Sequence, residues 1–133
     1  MLELKIRLDW SEMDMFQHIN NVSYFKFAQA NRINILEKVG LQKSFSETGV
    51  GPTLAHTECD FKKELNYPGN VIIKSTIKEI KNTSFIIQHQ FYNDHNELCA
   101  QASDVIVVYD YLNEIKHPIP EAIRAELSQI LLS

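Results

Sequence analysis

One stretch constrains the fold of this chain more than any other. Between Val22 and Val39 the apolar residues Val22, Tyr24, Phe25, Phe27, Ala28, Ile33, Ile35, Leu36 and Val39 recur at helical spacing. They spread widely around the helix instead of keeping to the narrow stripe of a surface helix. A helix of that kind is expected to be buried on most sides, as if a sheet curled around it. Asn20 or Asn21 can cap its start and Gly40 can end it.

The flanking segments supply that sheet. Leu2, Leu4, Ile6, Leu8 and Trp10 alternate with Glu3, Lys5, Arg7 and Asp9, which predicts a strand with one buried face. The polar run from Ser11 to Asn21 has no period and reads as a loop, and 41–52 also reads as a loop, closing on Gly49, Gly51 and Pro52. Strands then follow in succession: Thr53 to Lys63; a strand with Val71, Ile73 and Ile77 inward after the turn Tyr67-Pro68-Gly69-Asn70; a strand with Phe85, Ile87 and Phe91 inward; and a long strand from Leu98 to Tyr111. Short links predict antiparallel neighbours. Pro120 opens a last helix, with Ile123, Leu127, Ile130 and Leu131 at helical spacing. One long helix against a curved antiparallel sheet is an α+β architecture.

Composition narrows the function. The 133 residues are expected to form a single domain over 1–133. Thirteen Lys and Arg against seventeen Asp and Glu leave a net charge of −4, which argues against a general nucleic-acid binder. Two cysteines, Cys59 and Cys99, are too few for a disulfide framework and read as reduced thiols. Charges interrupt the N-terminal strand, and no apolar run is long enough to span a membrane, so a soluble, cytoplasmic protein is expected. Asp14 and His18 have no further ligands clustered near them, so no metal is expected.

The chemistry sits directly before the long helix, in Asp14-Met15-Phe16-Gln17-His18-Ile19-Asn20-Asn21. Helix N-termini present unpaired amides and partial positive charge, which can hold the oxygen of a polarised carbonyl. A nearby carboxylate can activate water or attack the carbonyl. On spacing alone, an Asp and two Asn before a helix, here Asp14, Asn20 and Asn21, are more often caps and turn formers. No G-x-S-x-G nucleophile elbow occurs. His56 and His89 lie within strands and read as core or interface residues. Lys62, Lys63, Lys74, Lys78 and Lys81 could meet phosphates or form a solvated sheet face.

The run from Trp10 to Phe25, with its pattern D-x-x-x-H-x-N-N-x-x-Y, resembles the single-domain acyl-CoA thioesterases of the hot-dog superfamily, the 4-hydroxybenzoyl-CoA thioesterase-like or YbgC-like proteins. Arg32, Phe61 and the Tyr67-Pro68-Gly69-Asn70 turn fall where that family has landmarks, and the likeness extends from Leu2 to Tyr111. The resemblance implies a hot-dog domain and hydrolysis of an acyl-CoA to free acid and CoA, with no cofactor. It implies Asp14 as the catalytic carboxylate, the Asn21 backbone N–H as the oxyanion donor and His18 as a residue shaping the site. Asn20 and Tyr24 match positions that are structural rather than chemical in the family; with Phe25, near the start of the helix, they are the candidate substrate-binding residues, Tyr24 and Phe25 as lining for an acyl pocket. It also implies a homodimer or homotetramer whose subunits share each active site. Many relatives carry a helix Glu where this chain has Gln29, which leaves the acid–base work to Asp14. The octet is similar as well to plant-type acyl-ACP thioesterases, but Phe16 replaces their Asn and the chain has room for one hot-dog unit rather than two. An acyl-ACP hydrolase and a non-catalytic acyl-CoA-binding module are the alternatives.

Overall fold

The computed structural model describes residues 1–131; the last two residues of the expected 1–133 domain lie outside the described residues. The chain runs β1 (Leu2–Arg7), α1 (Asn21–Val39), α2 (Leu41–Thr48), β2 (Val50–Phe61), β3 (Asn70–Ile80), β4 (Ser84–Tyr92), β5 (Leu98–Asp110), β6 (Ile115–Lys116) and α3 (Glu121–Ile130), with a short 3-10 turn over Trp10–Glu12. The strands form one antiparallel sheet in the order β1-β3-β4-β5-β2, with β6 added to β5. Register shifts between Leu54 and His56 and between Ile77 and Glu79 mark irregularities of the kind that bend a strand. The sheet curls around α1, the α+β arrangement expected of a hot-dog domain.

Several sequence expectations change. α1 is not enclosed on most sides: Tyr24, Phe27, Ala28, Asn31, Ile35, Leu36 and Val39 make one buried stripe, while Val22 is 59% and Ile33 38% exposed. A sheet covers one side of a helix, so the outer apolar residues stay uncovered in a single chain. Residues 41–48 are helical, not loop. Gly40, at φ 91°, closes α1 by donating its N–H to the Glu37 and Leu36 carbonyls, and the chain restarts at once as α2 on the fully buried Leu41. Trp10 is not on the buried face of β1. The Asp9 carboxylate accepts from the Ser11 amide at 3.1 Å and Glu12 Oε1 from the Asp9 amide at 3.4 Å. This reciprocal cap starts the 3-10 turn and carries Trp10 out to 67% exposure. Finally, β2 and β3 are consecutive but not neighbours. The link between them, residues 62–69, crosses from the sheet edge and buries Leu65 on the way.

The interior divides in two. One cluster gathers Ile35, Leu36, Val39, Ile77, Phe85 and Ile87 against α3; the other gathers Leu8, Ile19, Tyr24, Phe27, Leu65 and Phe91 beneath the start of α1. A polar chain crosses every long strand between them. Asn31 Nδ2 donates to the Leu2 carbonyl at 3.1 Å and to Ser75 Oγ at 2.7 Å. Ser75 Oγ lies 2.6 Å from His89 Nδ1, and His89 Nε2 lies 2.8 Å from Asp104 Oδ2. Arg32 Nη1 and Thr57 Oγ1 donate to Asp104 at 3.0 and 2.8 Å. An ionised carboxylate only accepts, so His89 Nε2 donates to Asp104. Ser75, His89 and Asp104 are fully buried, so this Ser–His–Asp sequence is a structural strut and has no route to substrate.

Candidate active site

The segment before α1 is a tight hairpin built by Asp14. Its Oδ1 accepts from the Phe16 amide at 2.9 Å and from the His18 amide at 3.2 Å. Its backbone N–H donates to the His18 carbonyl at 2.7 Å, and its carbonyl accepts from Gln17 at 3.0 Å. Gln17 takes the left-handed φ of 68° that this turn requires. The hairpin is anchored at both sides. Ile19 N–H donates to the Leu65 carbonyl at 3.0 Å, and Asn20 N–H to the Glu12 carbonyl at 2.9 Å. Asp14 Oδ2 accepts no hydrogen bond from the described residues, so one carboxylate oxygen holds the loop and the other is uncommitted.

α1 begins where the hairpin ends. Asn20 is the N-cap, its Oδ1 accepting from Ser23 N–H at 3.1 Å. The Asn21 and Val22 amides take no acceptor among the described residues. They are the orphan donors every helix start carries, at the positive end of its dipole.

A cavity of about 310 Å³ collects these groups. Asp14, His18, Ile19, Asn21, Tyr24 and Phe61 line it, with Lys62, Lys63 and Glu64 from the β2–β3 link. Tyr24 is buried and meets Phe61 edge-on at 5.1 Å and Phe91 at 5.7 Å, giving the cavity an aromatic floor. Burial foremost, helped by the neighbouring Cys99, pushes the Tyr24 phenol up to about 12, so it keeps its proton at neutral pH. Burial likewise pushes the Cys59 thiol up to about 11, which makes it a poor nucleophile. Lys63 pairs with Glu97, whereas Lys62 is free of any ion pair among the described residues. Of the residues marked from sequence, Asp14, His18, Asn21 and Tyr24 meet at this cavity. Asn20 is occupied in capping, and the partly buried Phe25 is not among the lining residues. Gln29 is exposed and lies outside it.

Sequence reasoning assigns no link residue to the site apart from Lys62 and Lys63 as possible phosphate contacts. It misses Glu64, a second carboxylate at the cavity, altogether. The one available signal is Leu65, an isolated apolar residue in a polar link, whose burial draws its neighbours over the hairpin. Among the described residues no group of three or more His, Cys, Asp or Glu is placed to hold a metal, and no helix is long and apolar enough to cross a membrane.

Comparison with known proteins places the chain in a family. A thioesterase structure from Bacillus stearothermophilus, itself described as predicted, is 25% identical, covers 98% of this chain and 96% of its own, and superposes with a TM-score of 0.89. A 1,4-dihydroxy-2-naphthoyl-CoA thioesterase from Synechocystis shares the fold at 14% identity, with 96% of both chains covered and a TM-score of 0.84. YsmA, an uncharacterized protein of Bacillus subtilis (strain 168), is 24% identical over 103 residues, 77% of this chain and 69% of its own. The family profile of the Thioesterase-like superfamily matches residues 8–127, from just after β1 into α3 and across the whole hairpin, cap and link that build the cavity. The chain belongs to the Thioesterase-like superfamily and is a thioester hydrolase.

Proposed function

We propose that this chain hydrolyses acyl-CoA thioesters, with the thioester carbonyl at the start of α1 and Asp14 as the catalytic carboxylate. The observation that carries the reading is the meeting, in one cavity, of a carboxylate with an uncommitted oxygen and a helix start with uncommitted N–H donors. The Asn21 N–H donates to the carbonyl oxygen and stabilises the negative charge that develops there. Asp14 Oδ2 takes a proton from water as that water attacks the carbonyl carbon. The tetrahedral intermediate collapses, the carbon–sulfur bond breaks, and the CoA thiolate takes the proton held by Asp14, which returns the carboxylate to its starting state. His18, half-buried beside Asp14, orients the acyl end, and Tyr24 with Phe61 gives that end an apolar seat.

Several solved relatives are named for CoA thioesters, including a gentisyl-coenzyme A thioesterase at 21% identity. A panel of acyl-CoAs of varied length and aromaticity, with free thiol followed, tests the assignment against matched carrier-protein thioesters. Faster turnover of the CoA set is the expected result; turnover of carrier thioesters alone makes the chain an acyl-ACP hydrolase.

The oxyanion donor is a backbone group, which sets an unusual mutational pattern. Asn21→Ala is expected to keep most activity, whereas Asn21→Pro removes the N–H and is expected to lower kcat about 100-fold. Proline suits the first position of a helix, so the fold should survive, as circular dichroism would show. Full activity in a folded Asn21→Pro protein excludes this donor.

The same reading makes the protein a homodimer or larger. β2 is a 12-residue edge strand, exposed from Leu54 to Glu58 and again at Asp60 and Phe61, and Phe61 at its end lines the cavity. An unpaired edge of that length invites a second copy. Light scattering at micromolar concentration is expected to give at least twice 15.4 kDa; an active monomer contradicts the shared-site arrangement.

A further inference from the structure

The Asp14 cavity does not stand alone. His18 is also a wall of a second cavity, of about 480 Å³, lined by Met13, Phe16, Gln17, Asn66 and Tyr67. Tyr67 in turn is a wall of a third, of about 270 Å³, lined by Arg7, Leu8, Asp9 and Trp10. Three neighbouring cavities, joined in turn by the side chains of His18 and Tyr67, thus lie between Asp14 and the exposed Trp10. Trp10 and Asp14 are four positions apart in the chain, so their Cα atoms lie within about 14 Å of each other.

We infer that the Arg7–Trp10–Tyr67 cavity is a subsite for the nucleotide end of a coenzyme A thioester, with the pantetheine arm lying in the middle cavity past Phe16 and His18. The inference rests on the acyl-CoA reading of the Asp14 cavity. The chemistry of the subsite matches an adenine nucleotide group by group. Trp10 is held outward by the Asp9–Glu12 reciprocal cap, and its carbonyl accepts from the Met13 amide at 3.2 Å. Its backbone is thus held and its indole stands exposed, and an aromatic side chain of this kind stacks on a base. Asp9 Oδ1 is occupied by the Ser11 amide, while Oδ2 accepts nothing among the described residues and suits an exocyclic amine. Arg7 is exposed and forms no salt bridge among the described residues, leaving its guanidinium for phosphate. The Asp9 and Glu12 carboxylates offset the charge of Arg7, so the subsite holds the nucleotide mainly by stacking on Trp10. The middle cavity, with Met13, Phe16 and Tyr67, offers apolar walls to a flexible arm and Asn66 and Gln17 to its amides.

Trp10 is the single tryptophan of the chain, so tryptophan fluorescence comes from this side chain alone. Titration of the full-length protein with ADP and with coenzyme A is expected to quench it saturably, and titration with pantetheine is not. In kinetics, the advantage in kcat/KM of an acyl-CoA over the acyl-pantetheine with the same acyl group should fall about tenfold in Trp10→Ala, the size of one lost base–aromatic stack. Trp10→Phe should restore most of it. The absence of quenching by both ADP and coenzyme A overturns the proposal. So does an equal loss on both thioesters, or a drop in the light-scattering mass of Trp10→Ala, which would make Trp10 a subunit contact. Wild-type protein that ADP quenches but that hydrolyses no acyl-CoA refutes the catalytic reading and leaves the nucleotide subsite standing.

Discussion

Replacing Asp14 by Asn is expected to lower kcat by about 10²–10⁴, the range for a lost general base, while the protein folds as before. The reason lies in the division of labour between the two carboxylate oxygens. Oδ1 is an acceptor for the Phe16 and His18 amides, and an asparagine oxygen can take its place, so the hairpin survives. What asparagine cannot do is remove a proton from water. Thermal melts of the variant should therefore overlay the wild type while thiol release nearly stops. Glu64→Gln is the matched control, because Glu64 is the other carboxylate at the cavity. It is expected to cost less than about tenfold, below the usual effect of a lost general base. If the large loss appears in Glu64→Gln and not in Asp14→Asn, the base belongs to the β2–β3 link.

The largest stability effect is expected away from the site, at Asp104. Its carboxylate is fully buried and accepts from His89, Arg32 and Thr57. Asp104→Asn removes the charge opposite Arg32 and sets an amide that cannot accept from all three donors. Breaking a buried pair from one side costs about 3–5 kcal/mol, which lowers Tm by roughly 10 °C or more in a domain of this size. Burial opposes ionisation of Asp104, but the hydrogen bonds from His89, Thr57 and Arg32 outweigh it and hold the carboxyl below the usual range. A carboxyl held low in the folded state adds stability that is present above its ordinary value, about 4, and is lost as pH falls through the lower folded value. Denaturant melts at pH 7 and on acidification should show wild type losing this contribution and Asp104→Asn having none to lose. Equal stability of the two at pH 7 would remove the polar chain from the account of the fold.

What the sequence reveals, and what it hides, follows from the range of the interactions involved. The long helix, its Asn20 cap and Gly40 stop, the inward faces of β3, β4 and β5, and the last helix rest on local spacing, and periodicity reports them directly. α2 escapes because Gly49, Gly51 and Pro52 mark a turn just beyond it, and an eight-residue helix has too few turns to outweigh that signal. Trp10 is misplaced because strand alternation runs through Asp9, whose cap to Ser11 and Glu12 ends the strand. The edge position of β2 depends on a crossover that sequence order does not encode. For the site, Asp14, His18 and Asn21 are legible because they sit in one short motif. Phe61 reaches the cavity through the pairing of β2 with β5, and Glu64 beside the buried Leu65, long-range contacts with no periodic trace. The chain Asn31–Ser75–His89–Asp104 is hidden for the same reason, since each strand contributes one ordinary polar residue to it.

The central claim is that a thioester carbonyl rests on the first amides of α1 with Asp14 beside it. The most direct test is a crystal structure of the Asp14→Asn protein holding an intact acyl-CoA, the variant being slow enough to trap it. The account predicts the thioester oxygen about 2.7–3.1 Å from the Asn21 nitrogen, with the substituted side chain in reach of the carbonyl carbon or of a water set to attack it. A carbonyl bound away from the α1 N-terminus, with neither Asn21 nor Val22 donating to its oxygen, would contradict it.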